Sequence, residues 1–287
     1  MNHVIAQVGF RVPDVAAYVE HVEATLGAEA VEATESGARL ALPGQSPCLV
    51  VTAGDTPAME YVGFWTAEAN LAAVSDRAAA AGVPVEEGSA FGSLRLVAPN
   101  GLAVELAAGE GEARNTQCRE GGPTVGSLDH VSLQAADLDA TVGFFVDVLG
   151  FEVVDSVGTV RHWLRCGPNH HTVAVFAGTD SLHHYAFESA DMLELQKLGD
   201  LLALRGQNFV WGPGRHALGA NIFTYHLDPA GALLELTSDM IQVPDDGSWV
   251  AQVWSPDTPA SAVMWGPMPT PGFREMTIPI AGREVQA

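Results

Sequence analysis

The chain has 287 residues, of which 47% are hydrophobic and 17% charged, the profile of a folded globular protein large enough for one big domain or two of ordinary size. A formal net charge of −22 argues against nucleic acid or an anionic membrane as a partner, because both are polyanions. The opening MNHVIAQVGF lacks the basic segment and apolar core of a signal peptide, and no run of 18 apolar residues marks a membrane span. Cys48, Cys118 and Cys166 are odd in number and show no metal-site spacing, so no disulfide framework is expected and the reading is cytoplasmic.

Taken in order, the chain repeats itself. Asp14–Gly27 (DVAAYVEHVEATLG) and Asp137–Gly150 (DLDATVGFFVDVLG) lie 123 positions apart. Each opens on an Asp suited to cap a helix, carries a helical apolar stripe and stops at Leu-Gly. Tyr61–Gly82 and Tyr185–Gly206 match at a spacing of 124, and Ala98–Leu106 (APNGLAVEL) matches Asp228–Leu236 (DPAGALLEL) at 130. A fixed order at near-constant spacing predicts two homologous domains, 1–108 and 127–240, of the α+β class. Each is expected to hold strand, helix and about three strands twice over, as paired βαβββ modules. Residues 109–126 read as a polar, Gly- and Glu-rich linker. Residues 241–287 read as a tail ordered over a domain or a neighbour, since disordered tails rarely carry Trp249, Trp254 and Trp265.

The richest stretch is Phe209–Leu236. Gly212-Pro213-Gly214 reads as a break, Ile222–Leu227 as a strand, Asp228-Pro229-Ala230-Gly231 as a turn, and Leu233–Leu236 as an apolar strand holding one carboxylate, Glu235. A Glu there is costly unless it is paired or metal-bound. His130 and His184 lie on apolar strands upstream. Together the three make a two-His, one-carboxylate set, the ligand pattern of non-haem Fe(II) oxygenases.

The other copy is an internal control. His130 aligns with Gln7, His184 with Glu60 and Glu235 with Glu105, so only the C-terminal copy has both imidazoles. The C-terminal copy also gains about six residues near Gly212–His216. Strand alternation implies that adjacent histidines face opposite ways, so only one of His183/His184 and one of His170/His171 points inward. Periodicity does not say which. Asp228 reads as a turn former, His162 and His226 as structural or surface residues, His183 likewise or as pocket lining, and Cys166 as packing. Arg215, beside His216, reads as a surface arginine or one that meets an anionic substituent of a substrate.

Four segments carry a family resemblance: Leu128–Leu133 (LDHVSL), Asn169–Val175 (NHHTVAV), Leu182–Phe187 (LHHYAF) and Gly212–Glu235, with its His, Tyr, Asp-Pro-x-Gly and Glu. They resemble the catalytic domain of type I extradiol ring-cleavage dioxygenases of the vicinal oxygen chelate superfamily, such as catechol 2,3-dioxygenases and dihydroxybiphenyl 1,2-dioxygenases. The one departure is Thr224, where the family usually carries a bulky apolar residue before the Tyr. The resemblance implies a cupped mixed sheet in each domain and a mononuclear Fe(II), with Mn(II) taking similar ligands. His130, His184 and Glu235 are the implied metal ligands, His171 the acid/base, and His216 and Tyr225 the residues that hold substrate oxygens. The implied substrates are a small aromatic diol and O₂, in a homo-oligomer. A metal-dependent lyase or isomerase of the same superfamily, and a non-catalytic small-molecule-binding module, are the competing readings. His171, His216 and Tyr225 favour ring cleavage over the first, and the complete ligand set favours it over the second.

Overall fold

The computed structural model describes residues 3–87, 91–257 and 263–282. Two mixed sheets are built on one plan. The first contains β1 (His3–Val12), β2 (Glu29–Thr34), β3 (Gly37–Ala41), β4 (Pro47–Ala53), β5 (Ala58–Thr66), β6 (Glu86–Glu87), β7 (Leu94–Val97) and β8 (Ala103–Ala108), with α1 (Val15–Leu26) and α2 (Glu68–Ala81) as crossovers. The second contains β9 (Val125–Ala135), β10 (Glu152–Val157), β11 (Arg161–Arg165), β12 (Val173–Ala177), β13 (Ser181–Ser189), β14 (Trp211–Arg215), β15 (Ile222–Leu227) and β16 (Leu233–Ser238), with α3 (Leu138–Gly143) and α4 (Met192–Leu204). Strand order is β2-β3-β4-β1-β5-β8-β7-β6 in one and β14-β15-β16-β13-β9-β12-β11-β10 in the other. This is the α+β, paired-βαβββ architecture expected from the repeat. No helix among the described residues is long and apolar enough to cross a membrane.

Local chemistry explains the shared elements. The Asp14 carboxylate accepts the Ala17 N–H at 2.9 Å and starts α1; Gly27 ends it at φ 71°. Asp137 repeats the cap on Ala140 N–H at 3.0 Å, but the helix that follows becomes a π-helical segment, Phe144–Leu149, before Gly150 ends it. The wider turn keeps Phe144, Phe145, Val148 and Leu149 all buried. The Asp228 turn forms as read: its carboxylate accepts Ala230 and Ala232 N–H at 2.9 Å each, and Gly231 takes φ 80°.

Two readings need correction. Gly212-Pro213-Gly214 is an irregular edge strand within β14, paired to β15 across a bulge, because Gly212 at φ 98° lies where a Cβ would meet Phe223 O at 2.6 Å. β9 begins at Val125, two residues inside the expected linker. In the tail, β17 (Gln252–Trp254) extends β10 in parallel, and β18 (Ile278–Pro279) pairs with the start of β13. The tail is thus part of the second sheet, with residues 258–262 and 283–287 outside the described set.

The two sheets meet through buried polar side chains. Tyr18 OH lies 3.0 Å from Tyr185 OH, which donates to Asp228 at 2.9 Å. His21 of α1 and His226 of β15 face each other with ring centroids 5.2 Å apart, and neither nitrogen of His226 has a hydrogen-bond partner among the described residues. Burial lowers His21 to about 4; burial and the His21 charge lower His226 to about 3. Unfolded imidazoles take a proton near pH 6.5, so the unfolded chain binds more protons than the native one below that pH. Stability from this pair is therefore present above pH 6.5 and is lost as pH falls toward 4. His226→Leu is expected to raise the thermal midpoint, and by more at pH 4.5 than at pH 8, the two gains in unfolding free energy differing on the order of a few kcal/mol. Midpoint-against-pH curves that run parallel for the two proteins would show that the pair does not titrate in this way.

Candidate metal centre

His130, His184 and Glu235 come from three neighbouring strands, β9, β13 and β16, and the register brings them together. Ala186 on β13 lies opposite both His130 and Glu235, so those two flank one small residue, and His184 stands two positions along the same strand. His130 Nε2 and His184 Nε2 each lie 3.2 Å from Glu235 Oε2 and 3.3 Å from one another. All three side chains are buried. Their ligating atoms lie within 4.8 Å of one another.

The surrounding hydrogen bonds set the tautomers. Asp129 accepts from His130 Nδ1 at 2.7 Å, which leaves the His130 Nε2 lone pair facing the centre. Asp129 is held in turn by Asn169 Nδ2 at 2.8 Å. His183 Nε2 donates to Phe273 O at 3.2 Å, so its Nδ1 accepts from His184 Nδ1 at 2.6 Å and the His184 Nε2 lone pair also faces inward. Asn221 donates to Glu235 Oε1 at 3.1 Å and to Thr237 at 2.8 Å, fixing the carboxylate. Burial acts to raise the Glu235 carboxyl, but His130 and His184 outweigh it and hold it well below the usual range. Burial would lower His130, yet Glu235 and Asp129 push it up to about 9, so a metal entering the centre displaces the proton from its Nε2 and frees that lone pair. The centre thus holds a buried anion that draws in positive charge. Two lone pairs and a carboxylate oxygen converging on one point suit a divalent cation. Asp129→Asn is expected to weaken metal affinity by about ten- to a hundred-fold in a chelator competition. Unchanged affinity would mean that Asp129 does not orient His130.

The same logic places His171. It precedes β12 and lies outside the strand, so alternation does not apply to the 170/171 pair. His170 Nε2 lies 3.3 Å from Asp155 and its Nδ1 3.2 Å from His171 Nδ1. With His170 donating to Asp155, His171 donates through Nδ1 and turns its Nε2 lone pair to the cavity. Burial, then the His130 and His170 charges, hold His171 well below the ordinary imidazole value. His216 Nε2 is 3.0 Å from Tyr225 OH and 3.8 Å from Glu235 Oε1. Burial and the Glu235 charge keep the Tyr225 phenol protonated far above its usual range. Thr224 faces away from Tyr225 and is fully buried in the opposite layer, its hydroxyl 3.5 Å from Leu236 O.

These residues line one cavity of about 730 Å³, walled by Trp163, Phe176, Trp211 and Phe273. His183 lines it together with His184, contrary to strict alternation. A β-bulge between Leu182 and His184 inserts His183 as an extra residue, and bulged neighbours share a face. Arg215 is committed elsewhere, to Asp239 at 2.7 Å. His162 is half-buried on β11, and Cys166 packs against His3.

Sequence reasoning missed the supports: Asp129, His170, Asp155, Asn221 and Phe273. The HH pairs and the Leu128-Asp129-His130 step were the only signals, and they name no partner. The first sheet also corrects one alignment. By register, Tyr61 rather than Glu60 is the counterpart of His184: each lies two residues before the position opposite both Gln7 and Glu105, or both His130 and Glu235. There Tyr61 donates to Gln7, and Arg95, at the position matching Tyr225, pairs with Glu105 at 2.7 Å. A guanidinium supplies the countercharge in the first sheet.

A family model described as the glyoxalase/bleomycin resistance protein/dioxygenase superfamily matches residues 127–236, the segment that contains His130, His171, His184, His216, Tyr225 and Glu235. That stretch is similar to a domain of this superfamily. The superfamily domain is not the whole likeness. The chain is 27% identical to metapyrocatechase 2 of Cupriavidus necator over 238 residues, 75% of this chain and 74% of the relative. It is 26% identical to biphenyl-2,3-diol 1,2-dioxygenase of Paraburkholderia xenovorans over 91% of this chain and 94% of that one. Among solved structures, the Mn(II)-bound glyoxalase from Novosphingobium aromaticivorans matches with a TM-score of 0.79 and 27% identity, covering 94% of this chain and 96% of that chain.

Proposed function

We propose that this chain is an extradiol ring-cleaving dioxygenase that opens a catechol-type aromatic diol at a mononuclear Fe(II) and incorporates both atoms of O₂. The reading rests on one observation: two imidazole lone pairs and a buried carboxylate converge at the floor of a cavity where His171, His216 and Tyr225 also present polar atoms. His130, His184 and Glu235 would hold the metal. When bound, Fe(II) supplies open positions for both diol oxygens and O₂ and lowers the pKa of the coordinated diol.

The remaining work falls to the protein. His171, uncharged, accepts a diol proton at Nε2 and returns it to the oxygen that departs when the ring opens. Tyr225 and His216 form a donor pair that steadies negative charge developing on the substrate oxygens. Trp211, stacked on Tyr225 with an interplanar angle of 11°, and Phe273, edge-on at 5.2 Å, exclude water from that charge. The bond cut lies beside the two hydroxyls.

The Mn(II)-bound relative favours one second reading, a lyase or isomerase on the same ligands. The His171–His170–Asp155 relay speaks for ring cleavage, since it delivers a base to the same face as the ligands. We further infer a cytoplasmic homo-oligomer. Val250, Val253 and Met268 leave apolar surface in water, and all three cysteines are free.

The test is anaerobic loading of metal-free protein with Fe(II) or Mn(II), followed by oxygen uptake on adding catechol or 2,3-dihydroxybiphenyl in air, with His184→Ala as control. Metal-dependent uptake that the variant lacks is expected. Tight metal binding without uptake on either diol would overturn the assignment in favour of the lyase or binding reading.

A further inference from the structure

The cavity has a second charged feature at the end away from the ligands. Arg161 on β11 and Arg274 in the short 3₁₀ turn Phe273–Glu275 both line it. Their place follows from register. Gln134 lies opposite Phe176, and Phe176 opposite Arg161, while Gln134 Nε2 donates to Arg274 O at 2.7 Å. That row is four residues along β9 from His130, roughly 13 Å at the rise of a strand.

The pair lies apart from the carboxylates that hold many of this chain's cations. With 13 basic against 35 acidic residues, cations here readily find carboxylates, as Arg95, Arg114, Arg165, Lys197, Arg205 and Arg215 do. Among the described residues Arg161 and Arg274 make no ion pair, although Glu275 also lines the rim. Burial and then the Arg274 charge act to lower Arg161, so the two guanidinium groups feel one another. Like charges turned on a common space bear a cost that an anion between them would remove. Trp163, one row nearer the ligands, and Phe176, in the row of Arg161, have ring centroids 5.4 Å apart and make a wall suited to an aromatic ring.

We propose that Arg161 and Arg274 bind a carboxylate carried by the substrate on the part of the ring remote from the diol, so that the preferred substrates are aromatic diols with an acidic side chain. This rests on the extradiol reading for the diol end. The role open to Arg215 in the sequence thus passes to two arginines that share no motif with the ligands.

Two arms test it. In the metal-free protein, calorimetry would compare binding of 3-phenylpropionate with that of its amide. The acid should bind about ten-fold tighter or more, with the advantage shrinking in salt. In the Fe(II) enzyme, 3,4-dihydroxyphenylacetate and 3-(2,3-dihydroxyphenyl)propionate would be compared with their methyl esters by kcat/KM. The acid-to-ester ratio should exceed about ten and fall toward one in Arg161→Met and Arg274→Met, with Lys at either site keeping part of it. A ratio near one in the wild-type protein, or one that survives both Met substitutions, would overturn the proposal. Cleavage of no diol at all would sink the extradiol reading instead, and the calorimetry arm alone would then decide the carboxylate site.

Discussion

Glu235→Gln is expected to abolish tight Fe(II) binding and to lower ring cleavage by about a thousand-fold or more, the rate equivalent of several kcal/mol of metal-supplied stabilisation. Gln keeps the shape, so the loss would report charge alone. Glu235 is fully buried, and its Oε2 lies 3.2 Å from each ligand imidazole. With the metal removed, Glu235 still pairs with His130 and His184, so the metal-free variant should melt below the wild-type midpoint. Added Fe(II) should then raise the midpoint of the wild-type protein and leave that of the variant unmoved, because a ligand stabilises only what it binds. If Fe(II) raised both midpoints equally, Glu235 would not be a ligand.

His171→Phe should separate chemistry from metal binding. The ring lies 4.5 Å from His130, centroid to centroid, and gives no atom to the ligand cluster, so Fe(II) affinity should stay within a few-fold. Turnover should fall by about a hundred- to ten-thousand-fold, the range for losing a positioned acid/base. His170→Phe should reproduce part of that loss by breaking the relay from Asp155. A His171→Phe enzyme that turns over within a few-fold of wild type would remove His171 from the proton path.

Much of this was legible where the cause is local. Asp14 and Asp137 cap helices, and Gly27 and Gly150 end them, by interactions spanning a few residues. The spacing of the repeat located the ligand strands, and the absence of histidines at the aligned Gln7 and Glu60 singled out the second copy. What stayed hidden depends on partners distant in sequence. The bulge that turns His183 into the cavity exists only in the pairing of β13 with β9. The step from Glu60 to Tyr61 is a one-residue matter of register, to which sequence alignment is blind. Arg95 meets Glu105 because β7 lies beside β8. The tail strands, three and two residues long, carry no period of their own, so nothing foretold that Trp249 would rest on His170 with ring centroids 5.7 Å apart.

The central claim is a reaction with a fixed balance. The measurement that tests it most directly is the stoichiometry of oxygen and diol consumption by the Fe(II)-loaded protein, with mass analysis of the product. The account predicts one O₂ consumed per diol and a yellow ring-opened product heavier than its substrate by both oxygen atoms. Diol recovered intact at full metal occupancy, with no oxygen consumed, would contradict it.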